Sequence, residues 1–371
     1  MDNINSLNRV KISYLVAFIS FVFSSFYLAN VTIFSPIYFS FVIVLSLIPM
    51  MLPLYFLCKM DYTRISLIYS AFSYIILLFI QMIYTNSMEI IKDYFFLAMM
   101  FCYIFIGVCC FYYISYIQKI KMIKIYFIIS SLLLFVDFLF RVKLRNDRYI
   151  GLQFFYNFKN NGLMFQDSNF SGFLAMINLS FALYLTNRKI LVFSRIKKIL
   201  LFLLMFVNMS RAAILGSLVI LLYSFYITKK QKTRMCLLFF LFIILMILIP
   251  FLLMYFFQDD SFMTKIAIFQ DTKKYFETVS FKQLLFGNGL FTSPDYLGRS
   301  GHNYISQTII EQGMLLFMIQ ISIMIKFLIA SKKMCLYTII PYLIAGLSCA
   351  PLQISYFFVI NSLIISLERD N

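Results

Sequence analysis

The chain has 371 residues, 62% hydrophobic and only 13% charged. A soluble globule carries about one-half apolar and one-quarter charged residues, so that class is excluded. About 230 apolar residues, at roughly 20 per membrane-spanning helix, allow eleven or twelve spans. The excess of 32 Lys and Arg over 15 Asp and Glu leaves a formal net charge of +17. In a soluble protein that would point to nucleic acid; here it asks which side of a bilayer holds the cations.

Cutting the sequence at its charged clusters predicts helices over 12–30, 37–57, 65–84, 94–117, 124–140, 168–186, 195–209, 211–227, 235–257, 302–329, 335–349 and 352–367. The predicted fold is an all-α polytopic membrane protein, 1–371 forming a single integral membrane domain of about twelve spans. The first run, Ile12 to Asn30, lacks a small-x-small exit and reads as a span rather than a cleavable signal. The seven cysteines lie in or beside apolar runs, without paired CxxC motifs, and read as buried small hydrophobes.

Alternating the loops from a cytoplasmic N-terminus gathers about 20 of the cations and four of the acids inside. The net charge is then about +16 inside and about +3 outside, the orientation that the positive-inside bias favours, with both termini cytoplasmic. The run Ile199 to Ile227 tests this cutting. As one helix it would span about 43 Å and place Arg211 near mid-bilayer, at about 2.5–3.5 kcal/mol or more. Both flanks are strongly basic, with Arg195, Lys197 and Lys198 before and Lys229, Lys230, Lys232 and Arg234 after. A hairpin breaking at Asn208–Arg211 keeps both clusters inside and puts Arg211 in an outward-facing polar pocket.

Two outside segments are long enough for chemistry, 141–167 and 258–301. In the first, Arg141, Arg145 and Arg148 are spaced by four and three, with Asp137 one turn earlier. On a continuing helix they form one cationic face. Two readings stand side by side: interfacial cations with an Asp137–Arg141 ion pair, or an anion site, since guanidinium forks suit phosphate and pyrophosphate.

The second segment ends in Gly287-Asn288-Gly289 and Gly298-Arg299-Ser300-Gly301-His302-Asn303-Tyr304. His302 is the chain's single histidine and stands where an outside loop re-enters the membrane. It reads either as a structural residue or as a general base that takes a proton from a hydroxyl. No second outside His or Cys joins it for a metal, and Asp259-Asp260 reads as a solvated helix end. Glu311, nine residues on, falls opposite His302 on a straight helix and shares a face with Gln307. At membrane depth it requires a partner, a structural hydrogen bond or an outside Arg.

Together these fragments resemble the family of O-antigen polymerases and O-antigen ligases, polytopic transferases acting on undecaprenyl-diphosphate-linked glycans. Ser210-Arg211-Ala212-Ala213 resembles the family's Ser-Arg-small-small turn, and Gly287-Asn288-Gly289 its Gly-x-Gly segment. His302-Asn303-Tyr304 followed by Glu311-Gln312-Gly313 resembles the His-Asn-x…Glu-x-Gly entry to the next span. Gly162 to Asn169 is similar to a Gly-x-Phe-x-x-x-Asn stretch, with one residue more. The likeness covers about 148–330; Met314-Leu315-Leu316-Phe317 lacks the second glycine that often follows the Glu-x-Gly.

The resemblance implies metal-independent glycosyl transfer, with no cofactor, on the outer face of a bacterial inner membrane. Arg211, with Arg141, Arg145 or Arg148, would hold the donor's pyrophosphate, and His302 would deprotonate or orient the acceptor hydroxyl. Asn169, Arg299 and Asn303 are candidates for sugar or pyrophosphate contacts, and Glu311 for a supporting role. The implied partners are an undecaprenyl-diphosphate-linked oligosaccharide donor and acceptor, a chain-length-regulating co-polymerase and the lipid bilayer, but no nucleic acid.

Three functions compete at this level. A polymerase of repeat units leads, with either O-antigen or capsule as product. A ligase moving the finished glycan onto lipid A core needs the same donor. A flippase for the lipid-linked oligosaccharide would suit twelve spans equally, but the polar residues cluster in outside loops rather than at the bilayer midplane. A metal-dependent oligosaccharyltransferase is disfavoured by the first outside loop, Val31 to Pro36, which has no acid.

Overall fold

A computed structural model describes residues 2–26, 49, 61–145, 148, 154, 157–159, 162–164, 168–208, 210–236, 260–299, 303–348 and 354–370. Regular structure among the described residues is helical throughout. Six helices are long and apolar enough to cross a membrane: α2 (Tyr62–Tyr84), α3 (Ile91–Tyr113, which a short 3₁₀ turn extends back to Met88), α4 (Tyr116–Leu144), α5 (Ser168–Asn187), α7 (Arg211–Thr228) and α11 (Tyr304–Ala330). The others are α1 (Asp2–Phe23), α6 (Arg195–Phe206), α8 (Asp260–Thr278), α9 (Phe281–Phe286), α10 (Ser293–Leu297), α12 (Leu336–Gly346) and α13 (Ser355–Asp370). The predicted spans 37–57 and 235–257 lie outside the described residues.

α3 and α5 form the middle of the bundle. Their apolar windows are 94% and 83% buried, against 28–44% for α2, α4, α7 and α11, which turn an apolar face outward. Lipid is as apolar as leucine, so helices here gain by close approach and interhelical hydrogen bonds rather than by hydrophobicity. Gly107 of α3 illustrates the first: a Cβ there would lie 2.6 Å from the Cβ of Ser362 on α13. Tyr126 of α4, donating to Asn178 of α5 at 2.9 Å, illustrates the second.

The run 199–227 divides as its flanking charges require. Asn208 and Ser210, both buried, turn the chain between α6 and α7, and the Ser210 hydroxyl caps α7 by accepting from the Ala213 amide. The second long polar segment contributes α8, α9 and α10. A capping box of Ser280 and Gln283 starts α9.

The helix ends sort into two sets. At one end Lys119 pairs with Asp370 at 2.6 Å, and Arg188 forks onto Glu368 at 2.9 and 2.7 Å. The same end holds Arg64 and Arg369 against the Tyr112 ring, and Lys326, whose ammonium reaches the Ser66 carbonyl at 3.1 Å. These are cations assigned to the cytoplasm by charge counting. The opposite end gathers the last turns of α2 and α4, the first turns of α5, α7 and α11, and the helices α9 and α10. Every described candidate site residue falls at that end.

Candidate functional site

The site consists of two polar junctions at this motif-bearing end. The first joins α4, α5 and the α6–α7 tip. Asp137 is fully buried, and its carboxylate accepts from Arg141 Nη2 at 2.7 Å, Ser171 Oγ at 3.0 Å and the Met164 amide at 2.8 Å. Arg141, also fully buried, donates from the same nitrogen to Asn208 Oδ1, and the Phe158 ring lies 5.6 Å from its guanidinium carbon. Asn208 in turn donates to the Leu204 carbonyl at 2.6 Å, and its own carbonyl accepts from Ser168 Oγ at 2.8 Å. A charge at such depth requires a partner, and here Asp137 supplies it to Arg141 while Asn208 accepts from the same guanidinium nitrogen. Three residues past Asn208, Arg211 opens α7 and is exposed.

This geometry corrects the predicted cationic face. α4 ends at Leu144, with Arg145 already extended at φ −57° and ψ 141°, so Arg141, Arg145 and Arg148 do not share one helical stripe. Arg145 and Arg148 are exposed, whereas Arg141 is an internal cation committed to Asp137 and Asn208. Asn169, half-buried in the first turn of α5, accepts from Lys159 Nζ at 3.1 Å. Lys159 thus joins this junction without having been singled out by motif.

The second junction locks the loop 286–293 onto a break in α11. Gly313 interrupts the helix at φ 82° and ψ 168°, which takes nearby carbonyls out of their helical pattern. The Gly-x-Gly segment meets them: the Asn288 amide donates to the Ile310 carbonyl and the Gly289 amide to the Glu311 carbonyl, both at 3.0 Å. Asn288 Nδ2 reinforces the Ile310 contact at 2.9 Å and also donates to the Tyr275 hydroxyl at 2.8 Å. Burial pushes the Tyr275 hydroxyl up from its ordinary value, which keeps it a neutral partner. Gln81, reaching across from α2, donates to the carbonyls of Phe286 (2.7 Å) and Glu311.

Glu311 finds the partner that its depth requires in Ser293, whose hydroxyl donates to it at 2.6 Å. Asn303 is almost wholly buried. Its Oδ1 caps α11 by accepting from the Ile305 and Ser306 amides at 3.0 and 3.1 Å, and its Nδ2 reaches the Leu347 carbonyl at 3.3 Å. A side chain so committed positions the start of the helix. Arg299 is exposed and pairs with Asp271 of α8 at 3.6 Å. His302 lies outside the described residues, immediately before the Asn303 cap.

Aromatic contacts connect the two junctions. Phe173, one turn into α5, meets Tyr342 of α12 edge-on at 5.6 Å, and Tyr342 meets Tyr304, next to Asn303, at 5.8 Å. Beneath them Tyr74, Gln312 and Gln320 form a buried hydrogen-bonded cluster, with Tyr74 donating to Gln312 at 2.6 Å and Gln320 to Gln312 at 2.8 Å. Tyr304 joins it by donating to Gln320.

Motif spacing did not single out Gln81, Asn208 or Lys159. The first two carried a usable signal nonetheless, as amide side chains in otherwise apolar runs at membrane depth. No protein-family profile and no curated protein sequence matches the chain.

Proposed function

We propose that the protein is a multi-pass transferase of about twelve spans in a bacterial inner membrane. It polymerises undecaprenyl-diphosphate-linked oligosaccharide repeat units on the membrane's outer face. The observation that carries this reading is the meeting of the motif segments at one end of the bundle. There the Ser-Arg tip and the Gly-x-Gly/Glu-x-Gly junction are bridged by Phe173, Tyr342 and Tyr304, opposite the end that holds Lys119, Arg188 and Arg369. Basic residues mark the cytoplasmic side, so the motif end faces outward, where flipped lipid-linked sugars reside.

In this reading Arg211, with the exposed Arg145 and Arg148, holds the donor's pyrophosphate. The acceptor hydroxyl attacks the donor's anomeric carbon. A glycosidic C–O bond forms, and the bond from that carbon to the diphosphate oxygen breaks. The hydroxyl proton passes to the His302 imidazole, and the electron pair leaves with undecaprenyl diphosphate, whose developing charge the guanidiniums offset.

Reconstituting the purified protein with single lipid-linked repeat units tests this. A ladder of oligomers in the absence of other proteins is expected, and loss of the ladder in His302→Ala at unchanged membrane expression. Unextended substrate moved across the bilayer would establish a flippase instead. Cells lacking the gene should still carry one repeat unit on the core; an entirely bare core would establish a ligase.

A further inference from the structure

We propose that Asn208 is the positioning residue for Arg211, and that the buried Asp137–Arg141 pair is the mount on which it sits. This rests on the reading of Arg211 as the cation that takes the donor's pyrophosphate. The argument starts from what fixes the α6–α7 tip. An arginine side chain is long and flexible, so where its guanidinium reaches depends on where its Cα is held. Misplacement by about 1 Å is enough to damage a charge-assisted contact. Arg211 is the first residue of α7, and the described turn residues before it, Asn208 and Ser210, lie between α6 and α7.

What holds the turn is Asn208, buried and bonded on three sides. Its Oδ1 accepts from Arg141 on α4, its Nδ2 donates to Leu204 on α6 at 2.6 Å, and its carbonyl accepts from Ser168 on α5 at 2.8 Å. Two of these bonds fix the tip against the neighbouring helices α4 and α5, and the third ties it to the end of α6. Steric contact adds a fourth constraint: α5 approaches so closely at Gly172 that a Cβ there would lie 2.7 Å from the Cβ of Ser210 and 3.4 Å from that of Asn208.

Arg141 can serve as a fixed donor because Asp137 is itself held by Ser171 and the Met164 amide, at 3.0 and 2.8 Å. Arg141, which the family resemblance offered as a pyrophosphate ligand, is in this reading part of the frame. The buried pair orients an exposed arginine that belongs to a different helix.

The test is binding of farnesyl pyrophosphate, a short polyprenyl pyrophosphate, to the full-length protein in detergent. Arg211→Ala, Asn208→Ala and the double variant complete a cycle, each checked for an unchanged melting midpoint. Arg211→Ala is expected to weaken binding by about tenfold or more, the scale of a lost charge-assisted contact. Asn208→Ala should weaken it by a comparable factor, yet the double variant should bind within about twofold of Arg211→Ala alone, because the two act through one contact.

Independent, multiplying effects would overturn the positioning role, as would wild-type affinity in Asn208→Ala alongside a weakened Arg211→Ala. Wild-type affinity in Arg211→Ala would overturn the pyrophosphate reading itself, and the positioning role with it. Where Asn208→Ala does not fold, Ser168→Ala, which removes one hydroxyl from the tip, replaces it in the same cycle. The expected and overturning outcomes are then the same.

Discussion

A Cβ added to Gly287 would stand 2.6 Å from the amide nitrogen of Gly313, so these two glycines pack backbone against backbone across the loop–helix junction. Neither position accepts a side chain. Gly287 has φ 74° and Gly313 φ 82°, where L residues are strained, and a Cβ at Gly313 would collide with the Leu285 carbonyl and the Gly287 amide. Two motif pieces 24 residues apart in number, Gly287-Asn288-Gly289 and Glu311-Gln312-Gly313, are thus halves of a single joint.

Gly313→Ala should therefore destabilise the protein by about 2–6 kcal/mol, combining about 1–3 for the backbone conformation with about 1–3 for overpacking. Gly287→Ala should behave alike. The melting midpoint of the detergent-solubilised protein measures it. A wild-type midpoint in Gly313→Ala would show that the joint yields. Gly298→Ala is the comparison, because no atom lies within 4 Å of a Cβ there although φ is 62°.

Gln81 supplies the hydrogen-bond complement to that steric joint. Its amide donates to the carbonyls of Phe286, the last residue of α9, and Glu311, beside the break in α11. Gln81→Leu keeps the bulk and removes the donor to Phe286, while the Glu311 carbonyl keeps the Gly289 amide, at a cost of about 1–3 kcal/mol. The expected result is a lowered midpoint with faster proteolysis between α8 and α10. Gln81→Glu should be no better, since a carboxylate facing two carbonyls cannot donate. A Gln81→Leu variant as stable as wild type would mean that the loop is held by its backbone alone.

The proposed orientation rests on the separation of charges between the two ends. Single cysteines replacing Arg145 and Arg299, both exposed at the motif end, should react in intact cells with a membrane-impermeant maleimide. Cysteines replacing Lys197 and Lys333, exposed at the ends of α6 and α11 away from the motifs, should react only after permeabilisation. The background must be cysteine-free, because Cys236 is exposed whereas Cys102, Cys109, Cys110 and Cys335 are buried. The reverse pattern would place the motif end in the cytoplasm and remove the proposed substrate.

The sequence was most legible where lipid is the constraint and least where local chemistry competes with it. Cutting at charges located α5 at 168–186 against the observed Ser168–Asn187, and α7 at 211–227 against Arg211–Thr228. It misplaced the start of α4. The cluster Lys119–Lys124 suggested a loop, but Ser115 and Gln118 form a capping box that starts the helix at Tyr116. Lys119 is then fully buried against Asp370, an ion pair 251 residues apart that spacing cannot reveal. The motifs Ser210-Arg211 and Gly287-Asn288-Gly289 fall at the same end of the bundle. What holds them, Asn208 and Gln81, depends on helices that meet only after folding.

The Asp137–Arg141 pair offers the sharpest test of how the first junction is built. Both side chains are fully buried, and the carboxylate also serves Ser171 and the Met164 amide. Removing one partner leaves the other charged in a low-dielectric interior, which costs about 3–5 kcal/mol. Arg141→Gln and Asp137→Asn should each lower the melting midpoint strongly. The double variant Asp137→Asn/Arg141→Gln has no unpaired charge and retains amides able to bond one another, Asn208 and Ser171, so it should recover much of the loss. Positive coupling of that kind identifies an internal pair. If Arg141 were instead a ligand-facing cation, Arg141→Gln would leave the midpoint untouched and act on binding alone, and Asp137→Asn would gain nothing from being combined with it.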